Sequence, residues 1–280
     1  MEIEKGKLYI CATPIGNLED MTARVIDTLR GVDLIAAEDT RNSMKLLNHF
    51  GIHTPMTSYH EFNKFDKADE LVRKLAEGAS VAIITDAGTP CISDPGEVLI
   101  QKCIEAGIPV TSLPGPSAVI TALTLSGLPT GHFYFHGFLP AVKQKKERRQ
   151  ALELLRQETA TMVLYEAPHH LKETLKDLTE TLGGSRRIVL CREMTKVHEE
   201  VIRTTLEEAA RLEPRGEYVL VIQGGSAEEK KEEARKAFDE MTLEEHMELY
   251  LAQGMDRKEA MKKVAADRGM TKRDVYNALL

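Results

Sequence analysis

A chain of 280 residues, 42% of them hydrophobic, is long enough for two domains with buried cores and a small third. Its formal net charge of -7 excludes a protein that coats nucleic acid by bulk charge, although a local basic patch is compatible with it. The four cysteines, Cys11, Cys91, Cys103 and Cys191, form no Cys-x-x-Cys pair and lie in or beside apolar runs, so buried reduced thiols are expected rather than a zinc knuckle or a disulfide framework.

Met1 to Lys7 is charged and lacks the apolar core of a signal peptide. No apolar run approaches the roughly 18 residues that span a bilayer. A cytoplasmic protein without membrane association is expected. Leu8 to Cys11 reads as a strand ending at the turn Ala12-Thr13-Pro14-Ile15-Gly16-Asn17. Further apolar runs at Leu34 to Ala37, Val81 to Thr85 and Val110 to Leu113 stop at Glu38-Asp39-Thr40-Arg41, Asp86-Ala87-Gly88-Thr89-Pro90 and Pro114-Gly115-Pro116-Ser117. Helical patterns separate them at Thr22 to Arg30, Asp66 to Glu77 and Val98 to Ala106. Unbroken apolar strands alternating with helices predict a parallel sheet covered on both faces, an α/β domain over residues 1–116. Ligands of such sheets bind beyond the carboxyl ends of the strands, so these turns should border one cleft.

From 117 to 225 the pattern changes. Phe133 to Phe138, Thr161 to Tyr165, Arg187 to Cys191, Glu200 to Thr204 and Tyr218 to Ile222 read as strands, with clear helical patterns only at Gln144 to Gln157 and His169 to Thr181. More strands than helices predicts a mixed sheet in a second α/β domain. Gly224-Gly225-Ser226 reads as a linker. Residues 226–280 then form a charged helical region, with candidate helices at Met241 to Gln253, Asp256 to Arg268 and from Thr271, and helix ends at Gly254 and Gly269. This resembles a helix-turn-helix, and Asp256 to Asp274 carries seven Lys/Arg against four Asp/Glu. Either a nucleic-acid contact or a solvated tail fits.

The common ligand motifs are missing: no Gly-x-Gly-x-x-Gly, P-loop, His-Glu-x-x-His or Gly-x-Ser-x-Gly occurs, and no metal site is expected. Five motifs in order remain: Ala12-Thr13-Pro14-Ile15-Gly16-Asn17-Leu18, Glu38-Asp39-Thr40-Arg41, the stretch from Thr85 to Gly96, Leu113-Pro114-Gly115-Pro116-Ser117-Ala118 and Tyr165-Glu166-Ala167-Pro168-His169. On these the chain resembles the tetrapyrrole methylase superfamily, and within it the bacterial 16S ribosomal RNA (cytidine-2'-O-)-methyltransferases, over nearly its whole length. The resemblance implies two α/β domains with S-adenosyl-L-methionine folded in the cleft between them. It also implies a homodimer, and 16S rRNA or the small ribosomal subunit as partner, methylated at the ribose 2'-hydroxyl of a decoding-centre cytidine. Carried over, the cofactor contacts fall on Pro14 and Ile15, on Gly88, Thr89 and Ile92, on Ser117 and Ala118, and on Tyr165, Tyr218 and Val219 of the second domain. The RNA branch commonly has Pro-His-Arg after the fifth motif, where this chain has Pro168-His169-His170.

A hydroxyl attacking a methyl carbon benefits from positioning and from a base. Asp39 and Glu166 are the carboxylates favoured for that role, with Glu38, the cluster Tyr59-His60-Glu61 and His169 nearby in sequence; Asp86 reads better as a turn cap. Arg41 suits a carboxylate or a phosphate. Lys143, Lys145, Lys146, Arg148 and Arg149 gather five positive charges within seven residues, a candidate phosphate-binding face. Two alternatives remain open: a related methyltransferase acting on a tetrapyrrole or another small substrate, and a non-catalytic RNA-binding assembly factor, against which the intact strand-end motifs speak.

Overall fold

The structure, a computed structural model, describes residues 2–226, 238 and 241–279. The charged stretch from Glu228 to 237 lies outside the described residues. The chain divides into two compact units, 1–156 with 160–223, and 157–159 with 224–280.

The first unit contains two five-stranded sheets. In the first sheet, β1 (Leu8–Cys11), β2 (Leu34–Ala37), β3 (Met56–Ser58), β4 (Val81–Ile84) and β5 (Val110–Leu113) run parallel in the order β3-β2-β4-β1-β5. Alternation in β1 sends Tyr9 and Cys11 to one face and Leu8 and Ile10 to the other, and both faces are buried. α1 (Ala23–Gly31) and α2 (Thr40–His49) cover the first face through Val25, Leu29 and Leu47. α3 (Lys64–Ala76) and α4 (Gly96–Glu105) cover the second through Leu71, Leu75, Leu99 and Cys103. The expected parallel sheet is therefore present, with one more strand than the sequence suggested. α2 was also not anticipated: Asp39 caps it, its carboxylate accepting Arg41 N at 2.8 Å.

α5 (Ala118–Ser126) leads into the second sheet, whose strands β6 (Phe133–Phe138), β7 (Thr161–Glu166), β8 (Arg187–Arg192), β9 (Glu200–Thr205) and β10 (Tyr218–Ile222) lie in the order β6-β7-β10-β8-β9. Only β6 and β7 are parallel, so the sheet is mixed, as its strand-rich sequence implied. One face packs on α6 (Lys145–Gln157), α7 (Leu171–Leu182) and α8 (Leu206–Ala209) through Leu155, Leu171, Leu175, Leu178 and Leu206. The other presents Val163, Val189, Cys191, Val219 and Val221 to α5 and to Ile15 of the first turn.

In the second unit α9 (Leu243–Ala252), α10 (Arg257–Arg268) and α11 (Lys272–Ala278) surround Met247, Tyr250, Ala260, Val264 and Val275. Thr242 and Thr271 close capping boxes, Asp256 caps α10, and left-handed Gly269 ends it. No helix among the described residues is long and apolar enough to cross a membrane.

Candidate active site

The polar turns of the first sheet are tied to one another. Thr13 N donates to Gly88 O at 2.9 Å and Gly88 N to Thr13 O at 3.1 Å. Thr13 Oγ1 donates to Thr85 O at 3.0 Å, and Thr89 Oγ1 to Pro116 O at 2.9 Å. Thr85 Oγ1 donates to Glu38 Oε2 at 2.7 Å, which brings in the turn after β2.

A cavity of about 540 Å³ opens at this junction. On one side stand Ile15, Glu38, Gly88, Thr89, Ile92, Asp94, Ser117 and Ala118. On the other stand the carboxyl ends of β6, β7 and β8 and the antiparallel start of β10, contributing Phe138, Tyr165, Glu166, His169, Cys191, Met194, Tyr218 and Val219. The cofactor residues carried over from the resemblance thus lie around one hollow, except Pro14, which is buried beside Ile15 and does not line it.

The rim is acidic. Among the described residues, Glu38, Asp94, Glu166, Glu193 and Glu217 line the cavity against a single lysine, Lys196. Lys196 Nζ bonds Glu217 Oε2 at 2.9 Å and Glu193 Oε1 at 3.2 Å. Burial works to lower its pKa, but the two carboxylates outweigh it and raise the value. The Glu193 carboxyl is held below its usual range, first by the Glu217 N–H and then, against its own burial, by Lys196. Burial raises the pKa of the Tyr165 phenol and pushes the Cys191 thiol up to about 11, so neither ionises near neutrality. Among the described residues, the non-glycine residues with left-handed backbone are Cys91, Ser93, Glu193 and Thr195, all in the two loops that border the cavity. Such conformations cost about 1–3 kcal/mol each and concentrate at functional sites.

Several sequence candidates stand elsewhere. The Asp39 carboxylate caps α2 and does not line the cavity; its neighbour Glu38 does. The Arg41 side chain is 92% exposed, 3.8 Å from Asp39 Oδ1. Tyr59 is buried and its hydroxyl donates to Pro95 O at 3.1 Å, supporting the 91–96 loop from behind. Asp86 Oδ2 accepts from Asn42 rather than capping its own turn. Arg148 corrects the basic cluster: it is 6% exposed, with Nε 2.6 Å from Asp177 Oδ2, Nη1 2.7 Å from Pro140 O and Nη2 3.0 Å from Thr174 Oγ1. A guanidinium so engaged is not available to a phosphate. Lys143, Lys145, Lys146 and Arg149 are exposed. His169 lines the cavity with its ring 4.1 Å from that of His170.

The sequence reading missed Phe138, Asp94 and the segment 193–196. The strand-end rule, applied to β8 as it was to the first sheet, would have found Glu193 to Lys196.

The profile of Tetrapyrrole (Corrin/Porphyrin) Methylases matches residues 7–210. Ribosomal RNA small subunit methyltransferase I of Halalkalibacterium halodurans is 50% identical over 278 residues, 98% of this chain and 94% of that protein. The Bacillus subtilis protein of the same name is 46% identical over 279 residues, again 98% and 94%. The fold is shared with two solved structures at low identity. Uroporphyrin-III-C-methyltransferase from Thermus thermophilus has a TM-score of 0.56 at 19% identity, covering 78% of this chain and 94% of that one. Diphthine synthase has a TM-score of 0.60 at 12% identity, covering 78% and 89%. The profile match over most of the chain, and relatives near half identity along almost all of it, establish that the chain belongs to the family of tetrapyrrole (corrin/porphyrin) methylases.

Proposed function

We propose that this protein transfers the methyl group of S-adenosyl-L-methionine to the ribose 2'-hydroxyl of a cytidine in 16S ribosomal RNA. The observation that carries the donor assignment is the character of the cavity among the described residues: apolar walls, and five carboxylates against one lysine that two of them already hold. That set repels a phosphorylated cofactor and suits an uncharged nucleoside with a cationic tail. About 540 Å³ lies within the usual range for a cofactor site of that size. Gly88 makes a cradle, because a Cβ there would fall 3.2 Å from Ile15 Cγ2. Ile15 and Ile92 offer the adenine apolar contact, and Thr89, Ser117 and Ala118 line the same wall. Bound there, the donor supplies a sulfonium with an electrophilic methyl and a neutral leaving group.

The acceptor assignment draws on the relatives, whose names state a ribosomal RNA substrate. The chain's own contribution is to orient one hydroxyl and receive its proton. Glu166 is 7% exposed, and its Oε1 accepts Ala167 N at 2.8 Å, which leaves Oε2 for a substrate proton. Glu38, fixed by Thr85, is the second carboxylate in place and replaces Asp39 in that role. Lys143, Lys145, Lys146 and Arg149 attract the RNA backbone.

Two measurements test this reading. Calorimetry should show S-adenosyl-L-methionine saturating one site per chain, weakened in Glu166→Gln less than turnover is. Ribose-methylation mapping of 16S rRNA from cells lacking the protein should show one cytidine unmodified, restored by the wild-type gene. Absence of donor binding, or an unchanged methylation map, overturns it.

A further inference from the structure

Strict alternation along β6 would place Phe138 on the wrong face of its sheet. Tyr134 packs into the helix-covered core and Phe135 into the opposite one, toward the cavity. Counting on by two puts Phe138 with Tyr134. The ladder is interrupted instead. Phe135 pairs with Val163 and Gly137 with Leu164, so His136 is left over, and Phe138 pairs with Tyr165. This single-residue bulge turns Phe138 onto the cavity face. Gly137, at φ +77°, makes the bulge possible and lets β6 approach the 91–94 loop, because a Cβ there would lie 2.7 Å from Ser93 Oγ.

The re-aimed ring lines the cavity yet remains 57% exposed. It rests against Tyr165 with centroids 5.4 Å apart and planes inclined at 53°, and Phe135 braces Tyr165 from 5.1 Å. The chain then runs through Leu139 and Pro140 to the exposed cations of α6, and buried Arg148 fixes the Pro140 carbonyl on the way. Lys145, Lys146 and Arg149 border a shallow surface hollow there. An open aromatic face followed by exposed cations, which have no ion-pair partner among the described residues although Glu153 borders the same hollow, matches the two recognition elements of single-stranded nucleic acid, a base and its phosphates.

We infer that Phe138 is the platform on which the base of the target nucleotide stacks while its ribose enters the cavity. It is a positioning and specificity-determining residue for the acceptor, on the exposed side of the cavity. This rests on the ribosomal RNA reading above.

The experiment uses the full-length protein, S-adenosyl-L-methionine and small ribosomal subunits from cells lacking the protein. Phe138→Leu removes the π face at a largely exposed position. It should raise KM for subunits about tenfold, the size of one lost base stack, a larger change than any in the donor dissociation constant. Phe138→Trp should restore KM. The chain has seven tyrosines and no tryptophan, so this variant also carries a single tryptophan, whose selectively excited emission should be quenched by protein-free 16S rRNA and not by S-adenosyl-L-methionine alone. An unchanged KM in Phe138→Leu, loss of donor affinity instead, or quenching by the donor alone overturns the stacking role. A wild-type protein that binds donor but does not methylate subunits overturns the RNA reading, and the stacking role with it.

Discussion

Gly88 holds the turns after β1 and β4 together and also forms part of the cavity wall. Its φ of +81° lies where a Cβ is disfavoured, and both of its backbone polar groups are bonded to Thr13. Gly88→Ala keeps those bonds only by accepting left-handed strain of about 1–2 kcal/mol while pressing on Ile15. Urea unfolding should therefore show a stability loss of that order. Calorimetry should show a weakening of S-adenosyl-L-methionine binding larger than the stability loss alone produces; equal donor affinity removes this turn from the donor site. At this scale the sequence was informative about which segments meet and less so about which side chain points inward. Glu38 and Asp39 illustrate the difference. They are adjacent carboxylates at a strand-to-helix junction, and one caps the helix while its neighbour faces the cavity. Composition treats them alike, and only the unrecognised start of α2 separates them. Phe138 was hidden for a related reason. A bulge inverts alternation without leaving a mark that period-two counting detects, although His136-Gly137 in an otherwise aromatic strand is the local irregularity that allows it.

Arg148 belongs to the scale of elements. In sequence it is one of five cations within seven residues; in the fold, the 3.6-residue period of α6 turns it inward while Lys145, Lys146 and Arg149 remain outside. There it links the start of α6 to Asp177 and Thr174 of α7 and to the loop after β6. Removing one partner of a buried ion pair costs about 3–5 kcal/mol. Asp177 keeps part of its solvent contact, so Arg148→Ala should lose roughly 3 kcal/mol in denaturant unfolding. Arg148→Lys should recover little, since a single ammonium cannot reach three acceptors in a plane. A loss below about 0.5 kcal/mol, the level of a surface substitution, would show that the cluster acts only at the surface. Elements with strong periodicity and caps were legible, among them β1, β2, β5, β6, β10 and α10. α5 was not: Ala118-Val119-Ile120-Thr121-Ala122 is β-branched enough to read as a strand, and tertiary burial between the sheets decides for helix. Three-residue β3 is too short to carry a pattern of its own.

Charge is a property of the whole molecule, and here it is divided by function. A net charge of -7 repels a polyanion at long range, and the acidic cavity repels it at short range. An RNA substrate must therefore be held from outside, by cations that the protein does not already use. Among the described residues Lys143, Lys145, Lys146 and Arg149 are exposed and have no carboxylate partner, unlike Lys172 on α7, whose ammonium lies 3.0 Å from Glu213. On the proposed function, a single ribose without its flanking phosphates would enter the cavity. Each phosphate neutralised on a single strand contributes a slope of about -0.7 to log K against log salt. Changing the four α6-region cations together to Gln should flatten the salt dependence of RNA binding by up to about 3 units. Donor affinity should stay as it was, and Lys172→Gln should leave the slope unaltered. The measurement is a titration of labelled RNA at several salt concentrations with wild-type and variant protein. If the quadruple variant kept the wild-type slope, the α6 face would be an ordinary solvated surface, and the phosphates would have to be held elsewhere on the molecule.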